Sequence, residues 1–199
     1  MSITGWENIY GWFYREDFRF YDWIASKFET GSSFVEVGAF HGRSALCMIN
    51  AIIRHNKKIN FFNVDHFKGS KDLESEPSVI NGTILEEYLK NINPWKDYIQ
   101  PIHLSSEEAS KLFYDNELDF IYIDGSHEYE DVKNDLACWH NKIKDEGIIS
   151  GHDWNFTDTV KPAVEEFAHE HKYTINLEYY NLPVDNKPYP GDSWYIYKR

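Results

Sequence analysis

Two short polar motifs contain side chains that could carry acid–base or metal chemistry. Asp124 and His127 lie in the first motif, and His152 and Asp153 form the second. Each motif directly follows an apolar run typical of a strand, and the carboxyl ends of parallel strands meet at one edge of a sheet. Carboxylate oxygens from two strand ends suit a hard cation such as Mg²⁺. His127 would then deprotonate a hydroxyl that the ion has acidified.

Structural roles are the alternative for the same residues. An Asp at the end of a strand often caps a turn or the next helix, and a lone His is more often a hydrogen-bond donor than a base. A zinc site would need further His or Cys residues at convergent positions, and none is apparent in the sequence. The two motifs therefore indicate either a hard-cation site with a base or a structural cluster.

A glycine-containing turn earlier in the chain has the features of a ligand-binding loop. Glu36, Gly38, Gly42 and Ser44 are spaced as Glu-x-Gly-x-x-x-Gly-x-Ser between an apolar run and a helical segment. Glycines let the backbone approach a ligand closely, and the amide groups that open the helix face it. The third glycine of a dinucleotide fingerprint is absent. A carboxylate at Glu36 repels a pyrophosphate but attracts a cationic or amino ligand.

Two further positions would complete a nucleoside pocket beside this turn. Asp65 ends the second predicted strand, where a carboxylate can accept hydrogen bonds from the two ribose hydroxyls of an adenosine. Ser105 and Ser106 follow the third strand, near the expected position of the adenine edge. Glycine often serves only in a tight turn. The ligand assignment therefore depends on the acids that end two successive strands.

Alternating strand and helix patterns predict the scaffold that positions these residues. Short apolar runs predict strands at 34–38, 59–65, 98–104, 118–124, 147–150, 175–180 and 194–197. Helical spacing predicts helices at 15–28, 43–54, 129–143 and 160–171, and a further helix starts near Ser105. Repeated strand–helix units imply an α/β fold with a mostly parallel seven-stranded sheet, helices on both faces and an antiparallel closing strand.

Length, composition and charge favour a protein that acts on small molecules. The 199 residues, 42% of them hydrophobic, suffice for one domain over residues 1–199, with an N-terminal helical segment at 1–29. Lys and Arg total 20 against 33 Asp and Glu, and the formal charge of -13 disfavours nucleic acid and membrane partners. No apolar run approaches the roughly 18 residues of a membrane helix. No signal-peptide pattern opens the chain, so a cytoplasmic location is expected.

Two polar connections, 68–81 and 182–192, are predicted to act as lids over the ligand site. The first contains Gly69, Ser70 and Pro77 and follows a strand end at the ligand edge, where loops that exclude water are expected. Aromatic residues make up 17% of the chain, and those near the N-terminus would line an acceptor pocket. They would otherwise pack against a second subunit or cover the sheet, so a homo-oligomer is one expectation.

The same motifs resemble a known enzyme family. Segments 36–44, 120–130 and 146–154 are similar to those of class I S-adenosylmethionine-dependent methyltransferases. Within that class the resemblance is strongest to the O-methyltransferases related to macrocin O-methyltransferase and to the cephalosporin hydroxylase group, and weaker to catechol O-methyltransferase. It covers roughly residues 30–170. The resemblance implies a Rossmann-like methyltransferase fold.

The resemblance also implies a role for each motif. The residues expected to contact S-adenosylmethionine are Glu36, Gly38, Phe40, Gly42, Ser44, Asp65, His66, Ser105, Ser106 and Asp124. His127 and Asp124 are the expected catalytic residues, and Asp124, His152 and Asp153 are the expected Mg²⁺ ligands. Relatives that bind metal carry two oxygen ligands at the last pair, whereas His152 offers a nitrogen. Alternatively, His152 only orients Asp153.

The expected reaction is transfer of a methyl group from S-adenosylmethionine to a hydroxyl of a small molecule such as a sugar or polyketide, assisted by Mg²⁺ and a His base. One alternative is an oxidoreductase that binds a nucleotide sugar or NAD on the same sheet, which the missing third glycine disfavours. Another is a non-catalytic binding protein that kept the fold. The joint presence of Asp124, His127 and Asp153 disfavours the second alternative.

Overall fold

In the described part of the chain, seven strands form one sheet. The computed structural model describes residues 2–155, 158–184 and 187–199, and within 179–192 it describes the backbone alone. The strands are β1 (Ser33–Val37), β2 (Asn60–Val64), β3 (Gln100–Ile102), β4 (Leu118–Ile123), β5 (Ile143–Gly151), β6 (Asn176–Val184) and β7 (Lys187–Tyr197). Their spatial order is β3-β2-β1-β4-β5-β7-β6. The first five strands pair in parallel, and β7 is antiparallel to both β5 and β6. The predicted sheet is confirmed.

Helices precede β1 and follow most of the parallel strands. They are α1 (Arg15–Lys27), α2 (Arg43–Arg54), α3 (Pro77–Ile80), α4 (Ile84–Ile92), α5 (Ser106–Ser110), α6 (Tyr129–His140) and α7 (Val160–His171), with 3-10 turns at Trp6–Asn8, Lys71–Leu73 and Asn93–Trp95. Helices α1, α2 and α7 begin at the predicted residues. Helix α4 was not predicted, although Ile84, Tyr88 and Ile92 recur every four residues and form its buried face.

Several predicted boundaries are wrong, including the start of β5, which lies at Ile143 and not at 147. Helix α6 ends at His140, because Ile143 already pairs with Leu118 of β4 and opens β5. Strand β3 is shorter than the predicted 98–104. The predicted loop 182–192 is strand on both sides, since β6 and β7 pair as far as Val184 and Lys187. Residues 185 and 186 of that prediction lie outside the described residues.

The core lies on both faces of the sheet. Phe34 and Phe120 pack on one face with α1, α2 and α4, whereas Val35 and Ile121 pack on the other with α5, α6 and α7. Burial on both faces explains the nearly continuous apolar runs of the parallel strands. Every helix in the described ranges is too short or too polar to cross a bilayer.

Candidate active site

The polar residues that follow β4 and β5 converge. Because Ile123 lies opposite Gly151 in the parallel pair, the residues after both strands emerge side by side. Nδ1 of His152 lies 3.7 Å from Oδ1 of Asp124 and 3.3 Å from Oδ2 of Asp153. One ligand atom from each of the three side chains lies within 4.8 Å of the others. The structure therefore brings the predicted metal ligands together.

His127 contacts this cluster through one ring nitrogen and a further acid, Asp72, through the other. Its Nε2 lies 2.8 Å from Oδ2 of Asp153, and its Nδ1 lies 3.1 Å from Oδ2 of Asp72. Asp72 belongs to the connection between β2 and α3 and was not predicted as a site residue. A single exposed Asp in a polar connection gives no sequence signal that could have identified it.

Asp17 on α1 is a second acid that the sequence analysis missed. Its Oδ1 lies 3.3 Å from Nε2 of His152, and its Oδ2 accepts a hydrogen bond from the backbone N–H of Tyr14 at 2.7 Å. The side chain is buried. Asp17 therefore fixes the start of α1 and the orientation of the His152 ring at the same time.

Burial and ion pairing shift the pKa values of the cluster. Burial raises the pKa of Asp124 to about 7. Burial lowers the pKa of His127, but the hydrogen bond and charge of Asp153 outweigh it and bring the pKa to about 9. The pKa of His152 is also raised, because the charge of Asp124 and hydrogen bonds to Asp153 and Asp17 outweigh burial. In this arrangement His127 carries at neutral pH the proton that a general base must first lose.

The donor set of the cluster fits a divalent cation. Two carboxylates and one imidazole nitrogen face one another, as in many divalent sites, and the nitrogen ligand suits Mn²⁺ or a similar ion at least as well as Mg²⁺. A cation at Asp153 would compete with His127 for the same carboxylate oxygen. Binding of the cation would thus free the His127 ring nitrogen.

The glycine turn lies directly beside this cluster. Gly38 has φ +95°, and a Cβ at this position would lie 1.9 Å from the carbonyl oxygen of Asp124. Only glycine allows the turn and the end of β4 to approach so closely. Asp65 accepts hydrogen bonds at Oδ2 from the backbone N–H groups of Ala39 and Phe40, at 2.8 and 3.0 Å. The predicted ribose ligand therefore also holds the turn.

Glu36 and Gly42 lie behind the turn and do not line the cavity. The Glu36 carboxylate is fully buried and accepts hydrogen bonds from Tyr21 Oη at 2.6 Å and Asn63 Nδ2 at 2.7 Å. Burial raises its pKa to about 8. Gly42 packs against the side chains of Tyr88 and Ile92. The structure thus assigns both residues to the support of the turn, and their direct contact with a cofactor stays a prediction.

A cavity of 1290 Å³ joins the turn and the cluster. The predicted cofactor residues that line it are Gly38, Phe40, Ser44, Asp65, His66, Ser105, Ser106 and Asp124. Ser105 caps α5 through Glu108, and the Ser106 hydroxyl accepts a hydrogen bond from Trp139 Nε1 at 2.8 Å. Both hydroxyls therefore have structural partners as well.

Aromatic side chains of the N-terminal segment form a wall of the cavity. Tyr10, Trp12, Phe13 and Tyr14 line it, and Tyr10 and Trp12 remain 56% and 44% exposed. The ring of Trp12 lies 5.3 Å from that of Phe40 in the glycine turn. The high aromatic content gave a general signal for such a wall, and the fold identifies its members.

Comparison with known proteins identifies the family. A family model described as a methyltransferase domain matches residues 35–154, which span the glycine turn and both polar motifs. The chain belongs to this methyltransferase family. It is a class I S-adenosylmethionine-dependent methyltransferase, as the resemblance of its motifs implied.

Proteins similar to this methyltransferase include a viral relative and two enzymes of known structure. The chain is 30% identical to the uncharacterized protein R132 of Acanthamoeba polyphaga mimivirus over 175 residues, which cover 81% of this chain and 71% of that protein. The O-methyltransferase NovP has a TM-score of 0.68 at 16% identity, covering 92% of this chain and 79% of that chain. An S-adenosylmethionine-dependent O-methyltransferase from Thermotoga maritima has a TM-score of 0.61 at 12% identity, covering 96% and 67%. At these identities the two enzymes show the shared fold alone.

Proposed function

We propose that this methyltransferase transfers the methyl group of S-adenosylmethionine to a hydroxyl of a small molecule, such as a sugar, a polyketide or a similar natural product. One observation carries the proposal. The cluster of Asp124, His127 and Asp153 lies in the same cavity as the glycine turn at Gly38. An acceptor hydroxyl held at the cluster would therefore face the methyl donor, and proximity would supply most of the acceleration.

The cofactor end of the cavity would be formed by the glycine turn and the end of β2. The amino-acid part of S-adenosylmethionine would lie along Gly38, Phe40 and Ser44, where the N-terminus of α2 opens toward the cavity. Asp65 and His66 would contact the ribose. The Asp65 carboxylate accepts from two N–H groups of the turn at Oδ2 and from the Phe67 N–H at Oδ1, which leaves one lone-pair site on Oδ1 for a ribose hydroxyl.

The acceptor end would use the polar cluster. Asp124, His152 and Asp153 would hold Mg²⁺ or a similar cation, whose charge lowers the pKa of a nearby hydroxyl. A cation on Asp153 would displace His127 from that carboxylate, so the ring would lose its stabilised proton to solvent and could then take the proton of the hydroxyl. The oxygen then attacks the methyl carbon, a C–O bond forms as the S–CH₃ bond breaks, and the electron pair stays on sulfur in neutral S-adenosylhomocysteine.

The state of the cysteines and the net charge support a cytoplasmic enzyme that acts on a small molecule. Cys47 and Cys138 are both free thiols, as expected in the cytoplasm, and the charge of -13 favours a small-molecule acceptor over nucleic acid or membrane. The exposed rings of Tyr10 and Trp12 would stack on the acceptor. We also propose that a second copy of the chain packs against the aromatic N-terminal segment.

An assay of S-adenosylhomocysteine release tests the proposal. The enzyme is incubated with S-adenosylmethionine, Mg²⁺ or Mn²⁺, and a panel of glycosides, catechols and hydroxylated polyketides, with and without chelator. We expect release with a hydroxyl acceptor, inhibition by chelator, and no further inhibition of the Asp153→Ala variant by chelator. Release only with amine acceptors would contradict transfer to oxygen, and full activity in chelator would refute the metal role. Thermal shift with S-adenosylmethionine checks cofactor binding separately.

A further inference from the structure

Asp72 contacts His127, the proposed base, although it lies in segment 68–81 and not at a strand end. It lies in the 3-10 turn Lys71–Leu73, and its Oδ2 forms an ion pair with Nδ1 of His127 at 3.1 Å. The other ring nitrogen faces Asp153, at the end of β5. The ring of His127 is therefore held between a fixed strand end on one side and segment 68–81 on the other.

The orientation of a His ring depends on the groups that its two nitrogens face. Nδ1 of His127 is closed off from solvent and lies 3.1 Å from the carboxylate of Asp72. A carboxylate that contacts one ring nitrogen also fixes the plane of the ring. In this orientation the other nitrogen of His127, Nε2, faces the cluster.

We propose that Asp72 is a positioning residue for His127 and that the base is correctly oriented only while segment 68–81 covers the cavity. This inference rests on the proposed function, in which His127 takes the proton of the acceptor. The proposed site then includes the Asp72 carboxylate of the predicted lid in addition to the residues at the strand ends. Closure over the substrate and alignment of the base then become one event.

Contacts elsewhere in segment 68–81 place Asp72 independently of His127. The Ser78 hydroxyl lies 2.9 Å from Nε2 of His41 in the glycine turn, and Tyr10 Oη donates to the carboxylate of Glu76 at 3.2 Å. The Asp72 side chain is 41% exposed. Its replacement should therefore leave the fold intact and remove only the contact with His127.

Variants of Asp72, with a matched control and a double variant with His127, test the role of Asp72 with the acceptor found in the panel. Asp72→Ala should lower kcat by about 10- to 100-fold, as loss of an orienting partner typically does, with the KM for S-adenosylmethionine unchanged. Asp72→Asn keeps an oxygen that can accept from Nδ1 and should recover most of that loss. Glu74→Gln removes a neighbouring exposed charge of the same segment and should match the wild type. Adding Asp72→Ala to His127→Ala should cause no further loss.

Crystal structures of the same variants supply a readout that needs no acceptor. In Asp72→Ala the His127 ring should rotate away from Asp153, and in Asp72→Asn and Glu74→Gln it should stay. An unmoved ring in Asp72→Ala, or a kcat within about twofold of wild type, overturns the proposal. If the wild type methylates no hydroxyl in the panel, the proposed function fails, and the orientation of the ring still decides the role of Asp72.

Discussion

His127 is placed where a base for the acceptor hydroxyl would act. The variant His127→Ala should bind S-adenosylhomocysteine as the wild type does, because the ring lies at the acceptor end of the cavity and contacts Asp153 and Asp72. Turnover per folded molecule should fall by about 10²–10⁴-fold, the usual contribution of a positioned base. Calorimetry and S-adenosylhomocysteine release measure the two quantities. Loss of stability with unchanged turnover of the folded fraction would show a structural role instead.

Glu36 should make the stability of the protein depend on pH. Burial raises its pKa from 4.5 to about 8 in the folded state, so folding takes up a proton between these values. Its contribution is complete below about pH 4.5 and is lost as the pH rises toward 8, at about 1.4 kcal/mol per pH unit. Glu36→Gln cannot titrate. Its stability relative to wild type should therefore rise with pH across this range.

Urea unfolding of the wild type and Glu36→Gln at pH 5, 6, 7 and 8 measures this difference in stability. Glu29→Gln is the matched control, since Glu29 is exposed and its removal should leave the pH dependence unchanged. A constant difference between wild type and Glu36→Gln would mean that the Glu36 carboxylate is already ionised in the folded protein.

Residue types identified the cluster, but their partners depend on the fold. Asp124, His127 and Asp153 stand out because they follow apolar runs, and parallel strands place such residues at one edge. Asp72 and Asp17 come from a connection and from α1, and they carry no spacing that points to the cluster. Sequence patterns give the positions along one edge of a sheet, whereas contacts across the cavity depend on how other segments fold over it.

Helical spacing predicted α2 and α7 well, because one apolar face alone satisfies the pattern. Helix α4 has the same period over only nine residues and was missed, and the middle of the long hairpin was predicted as a loop. The hairpin of β6 and β7 carries Pro183, Pro188 and Gly191, which are typical of loops. Backbone pairing overrides that local preference, as Pro183 lies opposite Pro188 in the ladder.

A buried hydrogen bond between Ser78 and His41 helps to hold segment 68–81 against the cavity. Ser78→Ala deletes the bond to His41, and such a bond contributes about 0.5–1.5 kcal/mol. Amide hydrogen exchange in 68–81 should therefore become about two- to tenfold faster. Addition of S-adenosylhomocysteine should slow exchange in this segment.

Ser75→Ala provides the control for this measurement, because Ser75 is exposed in the same segment. Equal exchange rates in wild type and Ser78→Ala would show that the bond to His41 does not hold the segment. Strong protection that cofactor leaves unchanged would contradict the role of 68–81 as a lid.

At the scale of the whole molecule, acidic charge surrounds the cofactor cavity. The chain carries a net charge of -13, and acids such as Asp17, Asp65 and Glu76 line the cavity together with Arg43 and Lys71. This field favours the sulfonium cation of S-adenosylmethionine over the neutral sulfur of its product. Salt screens the field, since the Debye length falls from about 30 Å at 0.01 M to about 3 Å at 1 M.

The ratio of the two affinities should therefore depend on ionic strength. Between low and high salt, preference for S-adenosylmethionine over S-adenosylhomocysteine should fall by about threefold, the effect of a weakly coupled unit charge. Calorimetry with each ligand at both salt concentrations measures the change. A ratio that does not change with salt would mean that only short-range contacts recognise the sulfonium.

The contact of Gly38 with the Asp124 carbonyl has a consequence for the geometry of transfer. Backbone hydrogen bonds from Asp124 N to Val37 O, at 2.8 Å, and from Gly38 N to Val64 O, at 2.9 Å, tie the same place into three adjacent strands. The proposed donor and acceptor sites thus share one rigid piece of main chain. If transfer occurs there, the peptide backbone would set the distance between sulfur and acceptor oxygen, and side chains around the cavity could change to admit other acceptors without altering that distance.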